Sequence, residues 1–126
     1  MRRPHAPASL AALAVAAACG GGASGLGPSG GDGAAVAGAD VTVVAEDVAF
    51  VRPPSTMPAS EVRVALVNEG WAEHDLTFER PRRTVASARG RDTDVGSVTL
   101  EPGTYTVYCS VQGHRQAGME FTVEVT

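Results

Sequence analysis

The chain has 126 residues, enough for one domain and no second. All ten basic residues are arginine, and with alanine and glycine so abundant the absence of lysine reads as composition bias. The net charge of −4 becomes −6 if Arg2 and Arg3 are lost with an N-terminal export segment, a balance that sets aside a nucleic-acid partner.

Residues 1–18 have the layout of an export signal. "MRRPHAP" supplies a positive start, "ASLAALAVAAA" an apolar run too short to span a bilayer comfortably, and small residues precede Cys19. "LAVAAACGGG" resembles a bacterial lipobox, which implies that Cys19 becomes the lipidated first residue of the mature protein. It departs from that motif in carrying Ala16 where leucine is usual, and plain cleavage after Ala18 is the alternative. The expectation is an exported protein, anchored by lipid on the extracytoplasmic face of a membrane. Residues 19–38 then hold the lipidated cysteine and a Gly/Ser/Ala linker. Such a linker buries too little to offset its ordering entropy, and its flexible-coil reach is roughly 25 Å.

The domain is expected over 39–126, and its pattern has period two. "VTVVAEDVAFV" reads as an opening strand, or two with a bulge. "EVRVALV" sets Val62, Val64 and Leu66 against Glu61, Arg63 and Ala65, and "HDLTFE" aligns His74, Leu76 and Phe78. The run 80–91, "RPRRTVASARGR", holds five arginines. It reads as a solvated connection with a short helical turn, or as a docking patch for an acidic partner or lipid headgroups. "VGSVTL" is a further strand. "TYTVYC" aligns Tyr105, Val107 and Cys109, and "MEFTVEVT" puts Met119, Phe121, Val123 and Val125 on one face. Turn signals fall at Pro53-Pro54, Asn68-Glu69-Gly70, Arg89-Gly90 and Glu101-Pro102-Gly103. Short strands without a helical stripe predict an all-β antiparallel sandwich or barrel.

A core this small often needs a staple, and a disulfide cannot provide it if Cys19 is lipidated and Cys109 stands alone. A metal answers both for the unpaired thiol and for the missing staple. Cys109 lies on the inward parity of one strand, Met119 on that of the last, His114 in the loop between them, and His74 at the start of another strand. If the two flanking strands are neighbours, these donors meet at one end of the sandwich. One thiolate, two imidazoles and a weak axial thioether describe a type 1 copper site, whereas zinc gains little from methionine. Taken singly, each residue is better read as ordinary: a surface histidine, a core methionine, a small buried cysteine. The order, the strand parity and the export signal together favour the site.

"NEGWAEHDLTF" and "GTYTVYCSVQGHRQAGM" resemble the corresponding segments of cupredoxins, the plastocyanin–azurin group of small blue copper proteins. The resemblance covers residues 40–126. It implies a Greek-key β-sandwich of seven to eight strands, one-electron transfer, and His74, Cys109, His114 and Met119 as copper ligands. It also implies an exposed aromatic at Tyr108 for docking or electron passage. Two positions depart from the pattern: Asp75 stands where Asn is common after the first ligand, and Ser60 stands where a glycine often precedes a strand. Asp75 is expected to accept a hydrogen bond from Ser110 and so join two ligand segments. Trp71 is either on the rim around the metal or a core filler. Val111, Gln112 and Ala117 would surround the His114 edge with an uncharged surface suited to brief docking.

The expected role is electron carriage between redox partner proteins by a monomer that is not an enzyme. The donor set leaves no obvious open position for a substrate, and copper nitrite reductases and multicopper oxidases need further ligands and domains. The binuclear copper site of cytochrome oxidase needs a second loop cysteine that this chain lacks. Copper trafficking is the alternative, although Met- and His-rich tracts are missing. A Cys–His thiol enzyme is a distant third.

Overall fold

Alternating apolar and polar residues build two stacked sheets in the computed structural model, which describes residues 35–126. The export segment 1–18, Cys19 and most of the expected linker lie outside the described residues. Nine strands follow in order: β1 (Val41–Glu46), β2 (Ala49–Val51), β3 (Thr56–Met57), β4 (Glu61–Asn68), β5 (His74–Phe78), β6 (Arg83–Ala88), β7 (Thr93–Thr99), β8 (Gly103–Tyr108) and β9 (Glu120–Val125). One sheet has the order β2-β1-β4-β7 and the other β3-β9-β8-β5-β6. The architecture is the expected all-β sandwich. The count exceeds seven to eight because β2 and β3, three and two residues long, are separate pieces.

Three features differ from the sequence reading. The opening segment is a hairpin, β1 turning into β2 through Asp47 at φ 51°, a backbone conformation that Asp tolerates better than most residues. Two pairings are parallel, β1 with β4 and β3 with β9, so the sheets are not purely antiparallel. The arginine-rich run 80–91 is not a bare connection: it contains β6, paired antiparallel to β5 with a bulge between Leu76 and Thr77. Its inward residues, Ala86 and Ala88, are too small to give the apolar alternation that marks a strand in sequence. Ser60, where a glycine was the usual choice, does not adopt a left-handed backbone, and its carbonyl accepts from Leu100 N–H at 2.9 Å.

The core lies between the sheets and is mostly aliphatic. Val43, Val62, Val64, Leu66, Leu76, Phe78, Val107, Val123 and Val125 are all buried within it, each stabilising the fold by about 1.5–3 kcal/mol before entropy is counted. Phe78 meets Tyr105 edge-on with centroids 6.1 Å apart, and Phe50 meets Phe121 at 5.3 Å. β6 and β7, at the borders of different sheets, approach so closely that a Cβ on Gly96 would sit 1.8 Å from the Val85 carbonyl oxygen, so only glycine fits there.

The topology gathers one set of strand ends at one pole. β1 and β4 run together, Ala45 facing Asn68. Residues 69–73 connect β4 to β5, which therefore starts at that pole with His74. β8 runs antiparallel to β5 and arrives there with Tyr108, and β9 leaves from there with Glu120.

Candidate metal centre

The first element of the site is the connection that delivers His74. Asn68, at 2% exposure, donates through its amide to the carbonyls of Ala72 (2.6 Å) and Ala88 (3.0 Å) and accepts from Gly70 N–H (3.0 Å). Three bonds on one buried amide fix the path of the chain before the histidine. Gly70 has no room for a side chain, because a Cβ would lie 2.8 Å from Asp47 N. Arg91 closes the outside of the same segment, its guanidinium on the Glu69 carbonyl at 2.8 Å and over the Trp71 ring at 5.5 Å. The sequence reading missed Asn68 and Arg91 as supports. The turn signal at Asn68 was visible, but the carbonyl of Ala88 that it bonds is twenty residues away.

The second element is the loop between β8 and β9. Cys109 N–H donates to the Met119 carbonyl (3.1 Å), and Met119 N–H donates to the His114 carbonyl (3.1 Å), so the loop's ends and middle are tied through Met119. Gly113 at φ 87° and Gly118 at φ 101° supply the left-handed turns that this return requires.

Together these elements bring Cys109 Sγ to 3.5 Å from His114 Nδ1 and 4.0 Å from His74 Nδ1. The imidazole rings stand 5.0 Å apart at 48°. The three ligand atoms lie within 4.8 Å of one another. Metal–ligand bonds of about 2.0–2.3 Å, opened at roughly 110–120°, place such atoms about 3.3–3.7 Å apart, so a small closing movement of the donors seats one ion between them. Met119 is fully buried and belongs to the same apolar cluster as Cys109. A cysteine and two histidines within reach of one ion, with a buried methionine bonded through its backbone to Cys109 and His114, are consistent with a type 1 copper site.

The electrostatics suit a metal better than a free nucleophile. Burial raises the Cys109 thiol above its ordinary value, against weaker opposing contributions from the backbones of Asp75 and Val111. Asp75 N–H points at the sulfur at 3.4 Å, a hydrogen bond that a thiolate would strengthen. A buried thiol with a raised pKa makes a poor catalytic nucleophile. Burial is also the main cause that lowers the His74 pKa, with the neighbouring His114 adding to it. His74 Nε2 is enclosed and closes no hydrogen bond of good geometry; the Asp47 backbone acts on the ring only as a weak acceptor. A neutral imidazole is the form that binds a metal.

Asp75 sits on the outer side of β5. Its Oδ1 accepts from Ser110 N–H and from the Thr77 hydroxyl, both at 2.9 Å, and its Oδ2 accepts from the Ser110 hydroxyl at 2.5 Å. The bond expected from Ser110 is present and is doubled by the backbone amide. The residue after His74 is thus bound to the residue after Cys109.

Tyr108 departs from the expected exposed aromatic. It lies on the outward parity but is only 7% exposed, because the Arg115 guanidinium covers its ring at 4.2 Å. Arg115, which sequence reasoning passed over as a loop arginine, also pairs with Glu79 and Glu120 at 2.8 Å each. Trp71 is no core filler: it is 83% exposed. The five arginines of 80–91 do not form one patch. β6 separates Arg80, Arg82 and Arg83 from Arg89 and Arg91 by roughly 20 Å at 3.3 Å per residue, and only the latter pair stands at the metal pole.

No protein-family model matches the sequence, and no curated protein does. Solved structures do resemble the fold. Auracyanin B is 20% identical over 77% of this chain and 96% of its own, with a TM-score of 0.57. A dithionite-reduced auracyanin from Roseiflexus castenholzii is 13% identical, covering 68% and 95%, at 0.53. Amicyanin from Paracoccus versutus is 18% identical, covering 73% and 85%, at 0.52. Likeness at such identities speaks for architecture, and it meets a donor cluster reached independently from the side chains: the chain has the cupredoxin fold.

Proposed function

We propose that the protein is an extracytoplasmic blue copper protein that carries single electrons between redox partners, with His74, Cys109, His114 and Met119 as the copper ligands. One observation carries the reading: a donor atom from each of His74, Cys109 and His114 lies within 4.8 Å of the other two, beside the buried Met119, whose backbone bonds to both Cys109 and His114. When bound, copper supplies a one-electron Cu(II)/Cu(I) couple. The protein's part is to keep the donors still. His74 and Cys109 stand at strand ends, Asp75 joins their neighbours, and the Asp75 amide holds the sulfur. A site whose ligands scarcely move rearranges little as charge changes. His114 is half-buried and Gln112 and Ala117 are exposed, which leaves an uncharged approach to the imidazole. The carrier is expected to act as a monomer on an acidic exported chain, lipid-anchored through Cys19, and not as an enzyme.

The test is a visible spectrum of the copper-loaded domain followed by redox titration. An intense blue band that bleaches and returns reversibly supports electron carriage. Copper bound without that band would sink it in favour of copper trafficking.

Asp75 offers a finer check. Its acceptor-only pattern is that of a carboxylate near the metal, which favours the more positive copper state. Asp75→Asn is expected to raise the midpoint potential by on the order of 50 mV. An unchanged or lower midpoint contradicts this role.

A further inference from the structure

We propose that Arg115 is a positioning residue, latching the 110–118 loop, and with it the His114 imidazole, onto the outer face of the second sheet. Its Nε bonds Glu120 Oε2 and its Nη2 bonds Glu79 Oε1, both at 2.8 Å, while the guanidinium plane lies over the Tyr108 ring at 4.2 Å. Three strands are thereby engaged by one side chain: Glu79 directly follows β5, Tyr108 ends β8 and Glu120 begins β9.

The loop has few other polar ties. Apart from Ser110 N–H on Asp75 at its start, its backbone bonds are short-range: His114 N–H to Val111, Ala117 N–H to Gly113 and His114, Gly118 N–H to Arg115, Met119 N–H to His114 and Glu120 N–H to Gly118. Among the described residues, its polar side chains reach a strand at two places besides the His114–Cys109 contact: Ser110 on Asp75, and Arg115 on its two glutamates. Ser110 secures the start of the loop, and Arg115 secures the residue directly after His114. Each half-exposed ion pair is weak alone, but here one ordering cost serves two carboxylates and a ring. The two nitrogens address different carboxylates from fixed positions in one plane that also covers the Tyr108 ring, a geometry that the single, rotating nitrogen of an ammonium does not reproduce. Tyr108 is covered as a consequence, so this face of β8 is not an open aromatic port.

The positioning does not depend on copper; its effect on the metal rests on the proposed function. The test uses Arg115→Gln and Arg115→Lys, with Glu79→Gln as an independent cut. In the metal-free protein, amide exchange at His114, Ala117, Gly118 and Met119 is expected to quicken roughly five- to tenfold in Arg115→Gln and by less in Arg115→Lys. Amides of β4 and β7 should keep the parent rates. In the copper-loaded, reduced protein, transfer of copper to a Cu(I)-specific chelator should quicken by a similar factor. Parent-like loop exchange in Arg115→Gln, or a uniform acceleration that includes β4 and β7, overturns the proposal. Faster loop exchange in a protein that takes up no copper upholds the latch and overturns the copper reading.

Discussion

Cys109→Ser is expected to abolish the blue band of the copper-loaded protein and to weaken copper binding by more than about a hundredfold. Loss of a partner behind a ligand typically costs ten- to a hundredfold in affinity, and loss of the ligand itself costs more. The band requires a thiolate on the metal, and a hydroxyl is a harder, far less acidic donor. The substitution is nearly isosteric, and the Asp75 amide that faces the sulfur at 3.4 Å can face an oxygen instead. The metal-free domain should therefore lose only about 1–3 kcal/mol from placing a hydroxyl in a fully buried position. Absorption before and after copper addition, with a thermal melt of the metal-free variant, separates loss of the site from loss of the fold. A variant that stays intensely blue would remove Cys109 from the coordination sphere.

Removing copper should lower the unfolding temperature substantially. A ligand present at a thousand times its dissociation constant stabilises the folded state by about 4 kcal/mol, which for a domain of this size is roughly 15–30 °C. Coincident melts with and without copper would refute a metal staple. The metal-free form should also depend on pH in a stated direction. His74 has its folded pKa lowered from 6.5, so the unfolded chain binds the proton more readily. Its contribution is complete above that ordinary value. It is lost as pH falls from there through the lowered folded value, at no more than about 1.4 kcal/mol per pH unit. Cys109 works at the other limit: its folded pKa is raised, so stability declines once pH exceeds the ordinary thiol value of 9.0. Metal-free stability should therefore level off between these limits. A metal-free protein that grows more stable on acidification from neutral pH would contradict the burial of His74.

The arginines show where a sequence pattern misleads. In a list, five within 80–91 look like one patch. In space β6 parts them, and Arg91 serves to brace the connection before His74. Arg115, by contrast, is unremarkable in sequence, sitting among glutamines and glycines. Its role exists only because Glu79, 36 residues earlier, directly follows β5 and lies beside it. Asp75 with Ser110 lies between these cases: the pairing was expected from resemblance, but the second bond, from the Ser110 backbone, depends on the spacing between β5 and β8.

Period-two alternation by itself determined the all-β architecture, since burying one face of each short strand leaves two stacked sheets as the stable solution. Residue chemistry by itself also pointed to the donor set, because a histidine, a cysteine, a second histidine and a methionine, in that order, favour one class of ion. Tertiary structure decided the parallel pairings, the existence of β6, the cover over Tyr108 and the supports from Asn68, Arg91 and Arg115. The reason is the range of the forces involved. Alternation reports burial one residue at a time, whereas these features depend on hydrogen bonds and ion pairs between groups that become neighbours only after the chain has folded.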